Sequence, residues 1–128
     1  MTLNNHDSDI DVVHKYNHVE LKGWVDQLQY IDREIDNLLS LYANSLGEKS
    51  IPAGIQELFS ERKKLNKELY EKVLPYSITY TNVAECDDIQ CDMAYLGEYD
   101  RLRENYKDNL EAYQQLKDKL FEEALRKE

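Results

Sequence analysis

Between Leu21 and Tyr42 apolar residues recur at alternating spacings of four and three: Leu21, Trp24, Leu28, Ile31, Ile35, Leu38 and Tyr42. An α-helix turns once every 3.6 residues, so this rhythm collects all seven on one stripe, the a and d seam of a heptad; in a strand they would scatter over both faces. Val25, Leu39 and Leu46 broaden the stripe at e. An apolar seam of this length must be covered, and the cover expected is other helices packed alongside.

The boundaries of this first helix are read from its flanks. Asn17-His-Val-Glu20 fits a capping box, with Tyr16 and Leu21 placed as a hydrophobic staple, and Gly47 can turn left-handed to end the helix. A helix of about thirty residues is about 45 Å long, which suits a rod-shaped bundle. Residues 1–16 are then expected as a flexible acidic N-terminal segment, followed by a single domain over 17–128. With 128 residues the chain has the size of one domain.

A second helix is expected to start near Pro52 and to present Ile55, Leu58, Phe59, Leu65, Leu69 and Val73 on one side. Pro75 should stop it at Leu74. Tyr76-Ser-Ile-Thr-Tyr-Thr-Asn-Val83 is rich in β-branched and aromatic residues and reads as extended, with Ile10-Asp-Val-Val13 as its one candidate strand partner. The third helix is expected from about Asp88 to near Lys127. Its seam carries Tyr99, Tyr106, Tyr113 and Leu120 every seven residues, Leu102 and Leu116 between them, and Leu96, Leu110 and Ala124 at the margins. Asn109 occupies a d position, where a polar residue fixes register. Each of the ten tyrosines brings a hydroxyl that wants a partner or water, so the stripe of Tyr99, Tyr106 and Tyr113 points to a wet protein interface along this helix.

The net charge of −10 argues against nucleic acid, whose phosphates are held by clustered Lys and Arg. The one basic cluster, Arg62, Lys63, Lys64 and Lys67, has Glu57, Glu61, Glu68 and Glu71 around it and reads as a solvated helix face. No apolar run approaches the length of about eighteen residues that spans a bilayer, and the first twenty residues lack a basic start followed by an apolar core. A cytoplasmic protein without a membrane partner is expected.

The segment Glu85-Cys-Asp-Asp-Ile-Gln-Cys-Asp92 gathers both cysteines and four carboxylates. Asp87 and Gln90 have the spacing of a helix cap, and acids suit a helix N-terminus. Zinc needs four ligands, and His6, His14 and His18 lie far away in sequence. On one helix Cys86 and Cys91 would point about 140° apart, so semi-buried, reduced thiols are expected. Asp7, Asp9 and Asp11 have the spacing that opens a calcium loop, but Val12 stands where glycine must turn and His18 where a bidentate glutamate belongs. No metal or cofactor site follows from these residues. Four glycines provide no phosphate-cradling loop, and no nucleophile motif is present.

One enzyme pattern remains. Glu68-Leu-Tyr-Glu71 followed by Glu85-Cys-Asp-Asp88 resembles the ExxE and ExxD pairs with which all-α nucleotide pyrophosphatases of the MazG type hold magnesium. The resemblance covers these residues alone, and Lys67 replaces the acid that precedes the family's first pair. It implies four carboxylates, Glu68, Glu71, Glu85 and Asp88, converging on metal ions that bind a triphosphate.

The expectation is an all-α antiparallel bundle or coiled coil of two long helices and one shorter helix, with a short extended segment before the last. Its expected role is a non-catalytic structural or protein–protein interaction module, self-associating as a homo-oligomer. An acidic inhibitor or nucleic-acid mimic is the alternative, resting on the run between Lys72 and Arg101 that holds six acids and no base. The magnesium-dependent pyrophosphatase stands third.

Overall fold

The computed structural model describes residues 5–45, 52–80 and 89–126. They form three helices: α1, Asn5–Ser45, of 41 residues; α2, Ala53–Thr79, of 27; and α3, Ile89–Arg126, of 38. Cross-helix bonds fix their directions. Asp36 meets Lys63, Gln29 meets Tyr70, and His14 meets Tyr80, so α2 runs against α1. Tyr76 and Tyr95 meet, as do Asn66 and Asn109, so α3 runs against α2. Glu20 with Tyr99 and Glu34 with Tyr113 share an offset of 79 residues, which makes α1 and α3 parallel neighbours. The result is an up-down-up, all-α bundle in which α1 is about 60 Å long.

The expected seam of α1 forms the core. Leu21, Leu28, Ile31 and Ile35 are fully buried, with Trp24, Val25 and Tyr42 nearly so. From α2, Ile55, Phe59, Leu69 and Val73 join them, but Leu58 is 46% exposed because it lies at the edge of that stripe and turns outward. The α3 stripe faces α1. Tyr99 and Tyr113 are buried, and Tyr99 and Tyr106 stack on either side of Trp24, with ring centres 5.2 and 5.0 Å from it. The tyrosine ladder therefore belongs to the core of its own chain and not to an interface. Two of its hydroxyls are satisfied from within: Tyr99 donates to Glu20 and Tyr113 to Glu34.

Three local expectations are corrected. First, α1 does not begin at Asn17; residues 5–16 are helical, so neither the capping box nor the flexible segment up to residue 16 exists as expected, and Ile10–Val13 are not a strand. The seam continues backward in the same rhythm through Asn17 and His14, both buried, whose polarity hid them from an apolar pattern. Tyr16, placed as a staple, points outward.

Second, α2 passes through Pro75, and Tyr76, Ser77, Ile78 and Thr79 are helical; Thr81 to Val83 lie outside the described residues, as does Gly47. The proline costs one backbone bond and a clash with the preceding turn, together about 3 kcal/mol in an isolated helix. Here the turn beyond it is held by tertiary contacts. Ser77 and Tyr80 are buried, and the Tyr76 hydroxyl donates to the carbonyl of Tyr95. Third, Cys91 is disulfide-bonded and not a free thiol. Cys86, the other cysteine of that expectation, lies outside the described residues.

Candidate functional site

The densest polar constellation lies where the N-terminal parts of α1 and α3 meet the C-terminal turn of α2. His14 Nδ1 is 2.7 Å from the Tyr80 hydroxyl, and its Nε2 is 3.1 Å from Asp92 Oδ1. A carboxylate only accepts, so Nε2 carries the hydrogen, and in a neutral ring Nδ1 accepts from Tyr80. Asn17 Nδ2 donates to the same phenol oxygen at 3.2 Å. Around this chain the rings of Tyr76, Tyr80 and Tyr95 meet edge to face or tilted, with centres 5.2 to 6.2 Å apart, and His18 stacks on Tyr80.

Carboxylate, imidazole and hydroxyl in this order form the arrangement that activates a nucleophilic oxygen. The environment opposes that use. Tyr80 is 0% exposed and His14 only 5%, so a substrate atom has no route to the phenol in this conformation. Burial pushes the Tyr80 phenol above its ordinary pKa, which disfavours the phenolate a nucleophile would need. The cluster is a three-helix tie in which each polar atom answers another. Sequence reasoning missed it, although His14 and Asn17 stand seven and four residues before Leu21, in the seam's own spacing.

A second polar layer crosses the middle of the bundle. Asn66 Nδ2 donates to the Leu28 carbonyl at 2.9 Å, Asn109 Nδ2 donates to Asn66 Oδ1 at 2.9 Å, and Arg62 caps Asn109 Oδ1 at 3.2 Å. The register role expected of Asn109 thus has a partner on α2. A third lies beyond it, where Glu34 accepts from Tyr113, from Lys117 at 2.9 Å and from Tyr30 at 2.9 Å. Burial raises the Glu34 carboxyl, but these three donors outweigh it and hold the group below its ordinary value.

The acids of the pyrophosphatase resemblance are only partly placed. Glu68 and Glu71 are both exposed on α2, while Glu85 and Asp88 lie outside the described residues. Among the described residues no group of three or more His, Cys, Asp or Glu could hold a metal ion. Asp7, Asp9 and Asp11 fall on helical backbone, not on a calcium loop. Beside the midpoint of α1 and α2 runs a groove of about 470 Å³, floored by Leu28 and Asn66 and rimmed by Arg33, Lys63, Lys67 and Tyr70. Lys63 is already engaged there by Asp36 at 2.6 Å, and Gln29 donates to Tyr70.

The outer face of α1 carries a different feature. Val12, Tyr16 and Val19 are 62, 63 and 70% exposed, and at about 100° per residue they fall on one stripe nearly opposite the buried seam. Gly23 continues the stripe with nothing within 4 Å of the place a Cβ would take, and Tyr30 lies farther along it. α1 is thus apolar on two faces from Val12 to Val19. No family model, no curated protein and no solved structure matches the chain. No helix among the described residues is long and apolar enough to cross a membrane.

Proposed function

We propose that this chain is a non-catalytic protein–protein interaction module that self-associates through its longest helix. The observation that carries the reading is the second stripe on α1, Val12, Tyr16 and Val19, which no helix among the described residues covers. An amphipathic helix needs one apolar face to join its own bundle; a second one is surface that water penalises until a partner covers it. The polar constellations support the same view, because His14, Asn17, Asn66 and Asn109 spend their hydrogen-bonding capacity on other side chains and backbone of the fold.

The test is the solution mass across a concentration series, by light scattering, for the native chain and for Val19→Glu. Val19 makes no part of the core, so the variant is expected to keep its helicity and to lose its assembly. An assembly that survives Val19→Glu removes the outer face of α1 from the contact.

The acidic-inhibitor reading rests on the run of six acids between Lys72 and Arg101. Two acids of its central run are already occupied, Asp92 by His14 and Glu98 by Arg101 at 2.7 Å. Hydrolysis of nucleoside triphosphates with magnesium is the corresponding test of the pyrophosphatase reading. A cytoplasmic location belongs to the interaction reading, and the bonded Cys91 stands against it, since reducing compartments rarely keep disulfides. A thiol count on protein taken directly from its native compartment decides between the two.

A further inference from the structure

The outer stripe of α1 has a period, and the period limits what can cover it. Val12, Tyr16, Val19, Gly23, Asp26, Tyr30 and Arg33 follow one another at spacings of four, three, four, three, four and three, which is a second heptad seam on the helix. Val12, Tyr16, Val19 and Tyr30 are exposed, and Asp26 and Arg33 lie exposed on the same face. A heptad seam is covered best by another helix with the same period. Resting on the reading of this face as a docking surface, we propose that its occupant is α1 of a second copy of the chain, lying antiparallel with the two-fold axis at the level of residue 21.

Charge decides the direction. In a parallel, in-register pair each seam residue faces its own counterpart, so Asp26 would meet Asp26 and Arg33 would meet Arg33 at the centre of the contact. Like charges placed together in this way oppose association. In the antiparallel pair centred at residue 21, every position faces the one whose number completes 42. Val12 then meets Tyr30 of the second copy, and Val19 meets Gly23. Tyr16 meets Asp26, whose carboxylate can accept from the phenol, and Lys15 beside Tyr16 flanks the same acid. Asp26, which opposes the parallel pair, is answered in the antiparallel one, and Arg33 falls beyond the stretch from Val12 to Tyr30 instead of meeting its own copy.

The details of packing agree. Gly23 presents no Cβ and nothing within 4 Å, so the opposing Val19 can seat against bare backbone, and the two-fold repeats that close approach on both sides of the axis. Glu20, the acid nearest the axis on one flank, is turned inward to Tyr99, so it does not face its own copy. Lys22 on the other flank lies one turn from Asp26 on its own helix. The paired seam from Val12 to Tyr30 is about 27 Å long. Such a contact is isologous and closes on itself, giving a dimer and not a filament.

The experiment combines mass with one distance. The native chain is expected at twice the 15.2 kDa of a single copy, and Val19→Glu at half that mass with unchanged circular dichroism. A nitroxide on Asn37→Cys, a position beyond the paired stretch, reports the direction by pulsed electron resonance. The antiparallel pair places the two labels about 50 Å apart, sixteen residues on either side of the axis, whereas a parallel pair brings them to about 10 Å. A short distance overturns the antiparallel arrangement. A native chain that stays at the mass of one copy at all concentrations overturns the second copy as occupant and, with it, the self-association proposed for this helix. A dimer untouched by Val19→Glu overturns the pairing through the outer face of α1 and leaves self-association to another surface.

Discussion

The two halves of the core are built differently. On one side of the Asn66–Asn109 layer, Leu21, Trp24, Leu28, Leu69, Val73, Tyr80, Tyr99 and Leu102 pack among further tyrosines, threaded by the hydrogen bonds of His14 and Asn17. On the other, Ile31, Ile35, Ile55, Phe59, Leu116 and Leu120 dominate, with Tyr42 and Tyr113 buried among them. Aliphatic contacts are strong but non-directional, so they tolerate sliding by a turn. Directional bonds do not, because a slipped helix leaves a buried donor without an acceptor. The aliphatic half thus supplies generic cohesion, while the aromatic half and the asparagine layer decide which residues stand at the same level.

That division can be broken from either side, and the largest effect belongs to the aliphatic half. Ile35→Asp puts a charge where Ile35 is wholly buried, at a cost of at least about 4 kcal/mol. The helical signal in circular dichroism should collapse, and a native melting curve would remove that seam from the core. Next comes Tyr80→Phe, which keeps the ring and removes the oxygen shared by His14 and Asn17. Two buried polar groups lose a partner, for about 2 to 3 kcal/mol. Amide exchange should rise first over residues 12–20, the stretch this oxygen ties down. Uniform acceleration along the whole chain would show that the tie is not local.

The asparagine layer sharpens the comparison. Asn66→Leu alone removes the side-chain bond to the Leu28 carbonyl and strands the Asn109 amide, and should cost about 1 to 3 kcal/mol. Adding Asn109→Leu merges the two halves into one apolar core and should recover most of that loss, at the expense of a single register. Urea unfolding of the two single variants and the double variant measures the coupling. If the double loss equals the sum of the singles, the two side chains do not act as one layer.

The smallest effect is one of pH. Glu34 titrates below its ordinary value of 4.5 because the donors from Tyr113, Lys117 and Tyr30 outweigh its burial. A depressed carboxyl contributes stability that is present above its unfolded pKa and is lost as pH falls through the folded one. Between pH 5 and pH 3 the urea midpoint of the native chain should therefore fall more steeply than that of Glu34→Gln. Parallel curves would assign the acid sensitivity to other carboxylates.

The apolar half of this design is legible in the sequence and the directional half is not. Leu21 through Tyr42 announce their helix because seven apolar residues obey one period. His14 and Asn17 obey the same period, yet their partner Tyr80 stands 66 and 63 residues away, so nothing local marks them as buried. The same distance effect carries α2 through Pro75, where local propensity loses to contacts made by Tyr76 and Tyr80. The tyrosine spacing on α3 was informative about a shared face but silent about what that face meets; Trp24 and two glutamates on α1 supply the answer. Of the candidate site, the outer seam of α1 was present in the spacing of Val12, Tyr16 and Val19, but only an unbroken helix from Asn5 makes it continuous.

The parallel pairing of α1 with α3 also sets an order of assembly. Asp36 and Lys63 are 27 residues apart, whereas Glu34 and Lys117 are 83 apart. Closing the shorter loop loses less chain entropy, so the α1–α2 hairpin is the first pair to become worthwhile and α3 adds to it afterwards. Until α3 arrives, Trp24 lacks the two rings that enclose it, and the indole is the chain's one tryptophan. Its fluorescence during refolding is therefore a clock for the last helix, separate from the far-ultraviolet signal of the hairpin that precedes it.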